Sequence, residues 1–338
     1  MIKSAVVILN WNGIVYLKKF LETVVKYSSG PETDIIVADN GSTDGSADWV
    51  EENFRMVKLI RFDRNYGFAG GYNRAIDQLD AKYYVLINSD IEVTEGWLQP
   101  LVSFMEENPD AAACQPKILS YNHRNYFEHA GAAGGFIDKY GYPFCRGRIL
   151  DVAEKDEGQY NTQIDIFWSS GACMIVRSDA WKMCGGFDAD FFAHMEEIDL
   201  CWRFHKAGFR AGFTPGSAVY HFGGGSLAYD SPYKIYLNFR NSLYMLYKNL
   251  PRGKVFSVIL IRLILDGLAG IVFLVHGRFS YLGAVLKAHF SYYKNIGRLR
   301  RKRETVKKLG EKNTTGLILN KSIIFEFYIR GIKTYNRL

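Results

Sequence analysis

In the first hundred residues, short apolar runs alternate with stretches of helical period. AVVIL at 5–9, IIVA at 35–38, the run 57–62 and YYVLI at 83–87 are separated by 14–27, 47–54 and 72–79, and 97–107 follows. Apolar, largely β-branched runs of this length read as buried strands, and apolar residues spaced by three and four read as one face of a helix. A unit repeated in this way predicts a parallel sheet covered by helices on both faces. Such sheets take ligands in the crevice beyond the carboxyl ends of their strands. The expected fold class is α/β, and the strand ends are where function should be sought.

Those ends are polar. The first run stops at Asn10-Trp11-Asn12-Gly13, the second at Asp39-Asn40-Gly41-Ser42-Thr43-Asp44, and the fourth at Asn88-Ser89-Asp90; RNYGFAGGYNRA, 64–75, follows the third. Gly67, Gly70 and Gly71 would let backbone approach a ligand ahead of a helix whose N-terminus favours anions. The stretch matches neither G-x-G-x-x-G nor a P-loop, so a tight turn explains its glycines equally well. Asp90, closing a buried strand beside a short polar pair, suits a divalent cation held mainly by phosphate oxygens and one or two carboxylates. The alternative is an aspartate that caps the next helix.

A second polar cluster lies far along the chain, where HMEEIDLCWR, 194–203, sets Glu196, Glu197 and Asp199 before an apolar run. The three acids are a metal cage, a catalytic base with its supports, or the acidic first turn of a helix that opposes the macrodipole. On a helix Glu196 and Asp199 share a face at i,i+3, while Glu197 points about 100° away from Glu196, so the three cannot share one task. Asp199 can pair with Arg203 at i,i+4. His221 follows an apolar strand, which suits either a metal or diphosphate contact or a hydrogen-bonded core histidine.

Composition limits the remaining choices. The chain has 338 residues, 48% of them hydrophobic, enough for one large or two medium cores. Five cysteines without a C-x-x-C pair imply neither a disulfide framework nor a zinc ribbon, and fit a reducing compartment. The formal charge of +7 is concentrated in RLRRKRETVKK, 298–308, with seven Lys or Arg and one Glu. This segment follows VFSVILIRLILDGLAGIVFLV, 255–275, which is long enough to cross a bilayer. Arg262 and Asp266 would each cost roughly 2.5–3.5 kcal/mol at the centre of a spanning helix. The expectation is a helix lying in the membrane interface, with a polybasic segment facing anionic lipid and a single span as second choice. The partner of residues 255–308 is then an anionic membrane surface and not a nucleic acid.

VVILNWNG, IIVADNGSTDGS, NYGFAGGYNRA, VLINSDIEV, SSGACMIVRSDAWKMCGGFD, HMEEIDLCWR and VYHFGGGS occur in the order and roughly the spacing of the family 2 inverting glycosyltransferases. The chain resembles that family over about residues 3–226, most closely its rhamnosyltransferase-like branch. The resemblance implies a GT-A fold, with a Rossmann-like nucleotide-sugar half (1–92) fused to an acceptor half (93–226) around a mixed central sheet, and a helical, membrane-associating extension (227–338). It implies a nucleotide-sugar donor, TDP-rhamnose or a UDP-hexose, and a lipid-linked or polysaccharide acceptor at the cytoplasmic face of the membrane. Asp39 would contact the donor base, Asn10 and Asn12 would line its pocket, and Asn65, Gly67, Gly71 and Asn73 would run along the ribose and diphosphate. Asn88-Ser89-Asp90 occupies the place of the family's Asp-x-Asp signature, so Asp90, with His221, would hold Mg²⁺ or Mn²⁺. Glu197 stands where similar enzymes usually carry a catalytic aspartate, with Glu196 and Asp199 holding its turn.

Displacing a nucleoside diphosphate from an anomeric carbon needs charge stabilisation on the leaving group and a base for the acceptor hydroxyl on the opposite face. The chain offers one candidate set for each. A sugar-nucleotide pyrophosphorylase would instead need a basic glycine-rich loop in the first βα turn. A processive synthase would carry Q-x-x-R-W and several spans. A membrane-bound nucleotide-sugar-binding scaffold would fit the two departures from the family pattern, Glu197 for Asp and Asn88 for Asp. The aromatic, glycine-rich stretch 120–168 reads as irregular, its rings either stacking on acceptor sugars or packing the excursion.

Overall fold

A computed structural model describes residues 2–223, 231–310 and 315–338. The expected alternation is present: β1 (Ile2–Asn10), α1 (Ile14–Ser28), β2 (Thr33–Asp39), α2 (Ser46–Asn53), β3 (Lys58–Arg61), α3 (Gly67–Ile76) and β4 (Ala81–Asn88). Strands β3, β2, β1 and β4 lie side by side, all parallel. Val6 and Ile8 of β1 enter one core while Ala5 and Val7 enter the other, so both faces of the sheet are buried, as continuous apolar strands require.

Helix α3 begins at Gly67, five residues earlier than its period suggests, so most of the stretch expected as a glycine loop is helix. Glycine is a poor helix former, but here the space demands it. A Cβ at Gly71 would sit 2.8 Å from the Leu9 side chain, and one at Gly67, whose φ is +73°, would strike Phe192. These glycines let the helix lie close on the sheet.

Beyond β4 the chain continues through β5 (Ile91–Val93), α4 (Leu98–Glu107) and β6 (Ala111–Ser120). The stretch expected as irregular holds β7 (Gly135–Asp138), β8 (Pro143–Cys145), β9 (Arg148–Ile149), β10 (Val152–Ala153) and β11 (Ile164–Ile166). Then come β12 (Cys173–Arg177), α5 (Ser178–Cys184), α6 (Glu196–Ala207) and β13 (Arg210–His221). The large sheet has the order β11-β13-β6-β12-β4-β1-β2-β3, with β12 antiparallel to β4. Long β13 runs parallel to β6 and pairs antiparallel with β5, its last residue His221 facing Ile91. That pairing brings His221 to the end of β4.

The C-terminal part holds α7 (Pro232–Asn249), α8 (Arg252–Val275), α9 (Phe279–Lys294), α10 (Ile296–Lys307), β14 (Ile318–Leu319) and α11 (Ile323–Tyr328). Strand β14 joins β7 in a small second sheet of order β10-β9-β8-β7-β14. The boundary expected at 226/227 falls outside the described residues, as do residues 224–226 of the motif VYHFGGGS. All five cysteines are buried free thiols.

Helix α8 resolves the conflict between its length and its charges. Arg262 and Asp266 are buried on the protein-facing side, 3.6 Å apart. The guanidinium lies 3.8 Å from the ring centre of Tyr142 and donates to the Tyr140 carbonyl at 3.0 Å. On the outer side Phe256, Leu260, Ile264, Leu268, Ile271 and Val275 are exposed at i,i+4 and i,i+3 spacing. The basic segment is only partly outward. Lys302 pairs with Asp188 and, at 2.5 Å, with Asp190; Arg298 pairs with Asp190; Arg303 is buried and caps the Tyr247 and Leu250 carbonyls. Arg300, Arg301 and Lys308 remain exposed.

Breaking a buried pair strands a charge, whereas replacing both partners does not. Asp266→Ala should therefore cost about 3 kcal/mol or more in urea unfolding, and Arg262→Met with Asp266→Leu should recover most of it. A double variant as unstable as the single one would contradict this account.

Candidate active site

A cleft of about 760 Å³ opens at the carboxyl ends of β1, β2 and β4. One wall carries Leu9, Trp11, Asn40, Asn65, Gly67 and Asn88-Ser89-Asp90. The facing wall carries Tyr142 and Arg148 from the small sheet, His194, Glu196 and Glu197 at the start of α6, and Lys234 and Asn238 of α7. Glu128 and His221 close its floor.

The expected donor residues divide into two groups. Asn65, Gly67, Asn88 and Ser89 line the cleft, while Asn10, Asn12, Asp39, Gly71 and Asn73 stand behind its lining. Asn10 is fully buried and its amide donates to Asp39 at 3.0 Å and Ser46 at 2.8 Å. The other Asp39 oxygen accepts from the Ser42 N–H. Asn12 accepts from the Thr43 N–H at 2.8 Å, tying the first strand-end loop to the second. Asn73 spends both amide atoms on the backbone of Phe187, at 2.8 and 3.0 Å, so it clamps a turn instead of lying along a ligand. Asn40, which sequence reasoning did not single out, links Asn65, Tyr66 and Gly67 through its amide and lines the cleft itself.

At the cleft floor the two nitrogens of His221 lie between carboxylates, Nε2 at 3.2 Å from Asp90 and Nδ1 at 2.9 Å from Glu128. Burial works against a charged ring, but the flanking Asp90 and Glu128 outweigh it and push His221 up to about 10. Glu128 is held at about 2 although burial opposes its charge, because His221 and the Ala130 N–H bind it. Nothing local marks Glu128, since its partner is 93 residues away. His221 could take a cation only by giving up the Nε2 proton it shares with Asp90, which leaves one carboxylate and one neutral imidazole as the donor pair. Two ligands at right angles with bonds of about 2.1 Å stand ~3 Å apart, close to the Asp90–His221 separation. Glu128 sits where an outer carboxylate orients a ligating histidine. Among the described residues no cluster of three acidic, histidine or cysteine side chains could form a closed protein cage. The residues therefore fit a cation completed by ligand phosphates.

Helix α6 separates the three acids. Asp199 is fully buried and bound by Arg203 (2.9 Å), Lys248 (3.0 Å) and Asn249 (2.8 Å), so it anchors α6 to α7 and does not reach the cleft. Glu196 and Glu197 line the cleft, and each keeps one oxygen without a hydrogen-bond partner. Burial raises Glu197 to about 7, against its own and the Ile198 N–H groups at the helix start. Glu196 is raised further from the ordinary range, by burial and then by the adjacent Glu197. His194, which sequence reasoning missed, is held at about 4 by burial and by nearby Lys234, so the ring is neutral, and its Nε2 is unpartnered. Three orphaned polar atoms around one cleft mark where a ligand would supply hydrogen bonds.

Residues 5–182 match the model of the family described as glycosyl transferase family 2. That span contains Asn40, Asn65, Gly67 and Asn88-Ser89-Asp90; Glu196, Glu197 and His221 lie beyond it. Among curated proteins the chain is 28% identical over 221 residues to the N-acetylglucosaminyl-diphospho-decaprenol L-rhamnosyltransferase of Mycobacterium tuberculosis, covering 61% of this chain and 71% of that one. Its fold is similar to that of GalNAc-T7 with UDP, GalNAc and Mn²⁺ (TM-score 0.59, 16% identity, 73% of this chain and 48% of that one). It is also similar to a mannosyltransferase from Pyrobaculum calidifontis in complex with GDP-Man and Mn²⁺ (TM-score 0.52, 11% identity, 90% and 85%). The chain thus spans about half the length of the GalNAc-T7 structure, and these likenesses establish the GT-A architecture.

The acid pair has a consequence for stability. A carboxyl raised above its unfolded value contributes stability that is complete below the ordinary range and is lost as pH rises through the folded value. Glu196→Gln removes that loss. It should raise the melting temperature over wild type at pH 8, on the order of 2–4 °C, and leave it nearly unchanged at pH 4.5. Equal shifts at both pH values in a thermal melt would contradict the direction given for Glu196.

Proposed function

The chain belongs to the family 2 glycosyltransferases, and on that premise we propose an inverting, cation-assisted enzyme that moves one sugar from a nucleotide donor to a lipid-linked or polysaccharide acceptor. The observation that carries this reading is the presence of two contrasting electrostatic environments in the lining of one cleft. On the floor, Asp90 and Glu128 flank His221, which holds Glu128 ionised. On the α6 side, burial raises the Glu197 carboxyl to about 7, and one of its oxygens is buried without a hydrogen-bond partner. The first environment suits a polyanion with its counterion, the second a proton acceptor working close to neutral pH.

Glu197 takes the acceptor hydroxyl proton as that oxygen attacks the anomeric carbon. The bond to the diphosphate oxygen breaks on the opposite face, and its electron pair leaves with the diphosphate. Asp90 and His221 would hold Mg²⁺ or Mn²⁺, which when bound offsets the charge on the leaving group. Glu128 keeps His221 oriented. Asn65, Gly67, Asn88 and Ser89 border the donor, with Asn10, Asn12 and Asp39 holding the loops behind them. Glu196, driven toward its protonated form by burial and then by Glu197, would in that form donate a hydrogen bond to an acceptor oxygen. TDP-rhamnose is the first donor to test, in keeping with the rhamnosyltransferase relative, and UDP-hexoses follow.

The membrane reading rests on α8 and α9. The outer stripe of α8 continues into exposed Phe279, Leu286, Phe290 and Tyr293 of α9, a larger apolar surface than scattered side chains produce. Its buried charges face inward, which suits a helix lying in the interface of the cytoplasmic leaflet. Tyr142, which lines the cleft, also donates to Asp266 of α8 at 3.4 Å. The acceptor wall thus lies one helix thickness, about 10 Å, from the apolar stripe, within reach of an acceptor anchored in lipid.

Glu197→Gln should lower kcat for sugar transfer by 10²-fold or more, and wild-type kcat/KM should fall as pH drops below about 7, where Glu197 binds its proton. Full activity in the variant would remove Glu197 as the base. Turnover that survives exhaustive chelation without loss would remove the cation from Asp90 and His221. Ile264→Glu with Leu268→Glu should release the protein from sedimenting vesicles of mixed anionic and neutral lipid while its melting temperature is unchanged; undiminished sedimentation would rule out α8 as the docking face.

A further inference from the structure

The segment that delivers Glu196 and Glu197 to the cleft is backbone-strained. Phe192, His194 and Met195 have φ of +65°, +71° and +73°, three non-glycine residues in the left-handed region directly before α6. Such positions cost of order 1 kcal/mol or more each and persist only where surrounding structure over-determines them. The reversed residues turn the carbonyls of Asp190, Phe191, Ala193 and His194 toward α7, where they meet a single array of donors. The Asn241 side-chain amide, fully buried, donates to Phe191 at 2.9 Å and to Ala193 and His194 at 2.8 Å each. Two N–H groups thus serve three carbonyls, so at least one bond is shared. Arg240 donates to Asp190 and Phe191, both at 2.9 Å, and to the Asn241 side-chain oxygen at 2.8 Å, which fixes the amide orientation. One turn beyond the acids, Lys248 and Asn249 of the same helix hold Asp199. Helix α7 therefore pins the segment on both sides of Glu196 and Glu197.

We propose that Asn241 is a positioning residue for sugar transfer: it holds the left-handed turn at 192–195, and so aims the Glu196–Glu197 pair at the acceptor. The proposal rests on the reading of Glu197 as base. Aspartate has the same shape but turns an acceptor toward three carbonyl oxygens, and alanine leaves those carbonyls buried without donors. When the turn relaxes toward ordinary backbone, the carboxyls shift relative to the cleft, and a displacement near 1 Å is enough to cost about 10²-fold in rate. Donor binding is affected less, because the turn meets the donor side through Phe192, which packs on Gly67 and whose carbonyl accepts from the Ala69 N–H at 3.1 Å, whereas Asn241 bonds the carbonyls of Phe191, Ala193 and His194.

The test uses the full chain, with TDP-rhamnose and UDP-glucose as donors. Asn241→Ala and Asn241→Asp are compared with Leu243→Ala, a buried α7 variant that leaves the turn untouched. The expected result is a loss of kcat of about 50-fold or more for both Asn241 variants, with TDP and UDP dissociation constants within about twofold of wild type and the acid limb of the kcat/KM profile displaced. Leu243→Ala should lose melting temperature yet keep kcat and the pH profile. Asn241→Ser, which retains one donor, should fall between and serves as the measurement if the other two do not fold. Loss of activity no greater than that of Leu243→Ala at equal folded fraction, with an unmoved pH profile, would overturn the proposal. The base assignment is read separately. If Glu197→Gln is inactive and Asn241→Ala active, the clamp fails and the base stands; if Glu197→Gln is active and Asn241→Ala inactive, the base fails and the clamp stands.

Discussion

The contact of His221 with Asp90 and Glu128 ties the molecule together at its cleft. Three buried ionisable groups are tolerable only when each meets a partner, and here the partners come from the end of β4, the loop after β6 and the end of β13. For them to meet, β13 must run the length of the sheet and finish on β5. The mixed sheet, the long β13 and the placement of the small second sheet over the cleft all accompany that convergence.

The opposite wall obeys the reverse rule. Burial drives both Glu196 and Glu197 toward the protonated form. Two acids in sequence, adjacent on a helix, thus acquire a character unlike that of Glu128, which lines the same cleft. The difference comes from neighbours and not from residue type. Asp199 makes the same point inside a single turn: given Arg203, Lys248 and Asn249, it becomes a structural tie.

The C-terminal helices serve both walls. Helix α7 holds the strained turn and the start of α6, α10 returns Lys302 and Arg298 to Asp188 and Asp190, and α8 presses Arg262 and Asp266 against Tyr142 at the acceptor wall. A segment that reads as a membrane anchor with a basic tail is thus also a brace for the catalytic half. Its polar side chains are directed inward, and its apolar side chains are left outside.

Much was legible from local pattern. Alternating apolar runs specify strands and helices because burial is periodic along each element, so β1 to β4, α1 to α4, the polar strand ends and the pairing of Asp199 with Arg203 follow from spacing alone, whereas the three-residue β5 does not. The family's ordered motifs add Asn88-Ser89-Asp90 and Glu197. The early start of α3 was hidden because glycine propensity argues against helix, and only the closeness of Leu9 and Phe192 explains it. Asn73 was read as a ligand contact because a sequence cannot reveal that the Phe187 backbone consumes its amide. Glu128, His194, Lys234 and Asn241 carried no signal, for each acts through partners tens of residues away. Sequence by itself determined which elements form and which edge of the sheet is polar, since those depend on neighbours within a few positions. Tertiary structure alone decided which polar groups are charged, which are spent on structure and which face the cleft, because desolvation and hydrogen bonding are set by whatever the fold brings within about 3 Å.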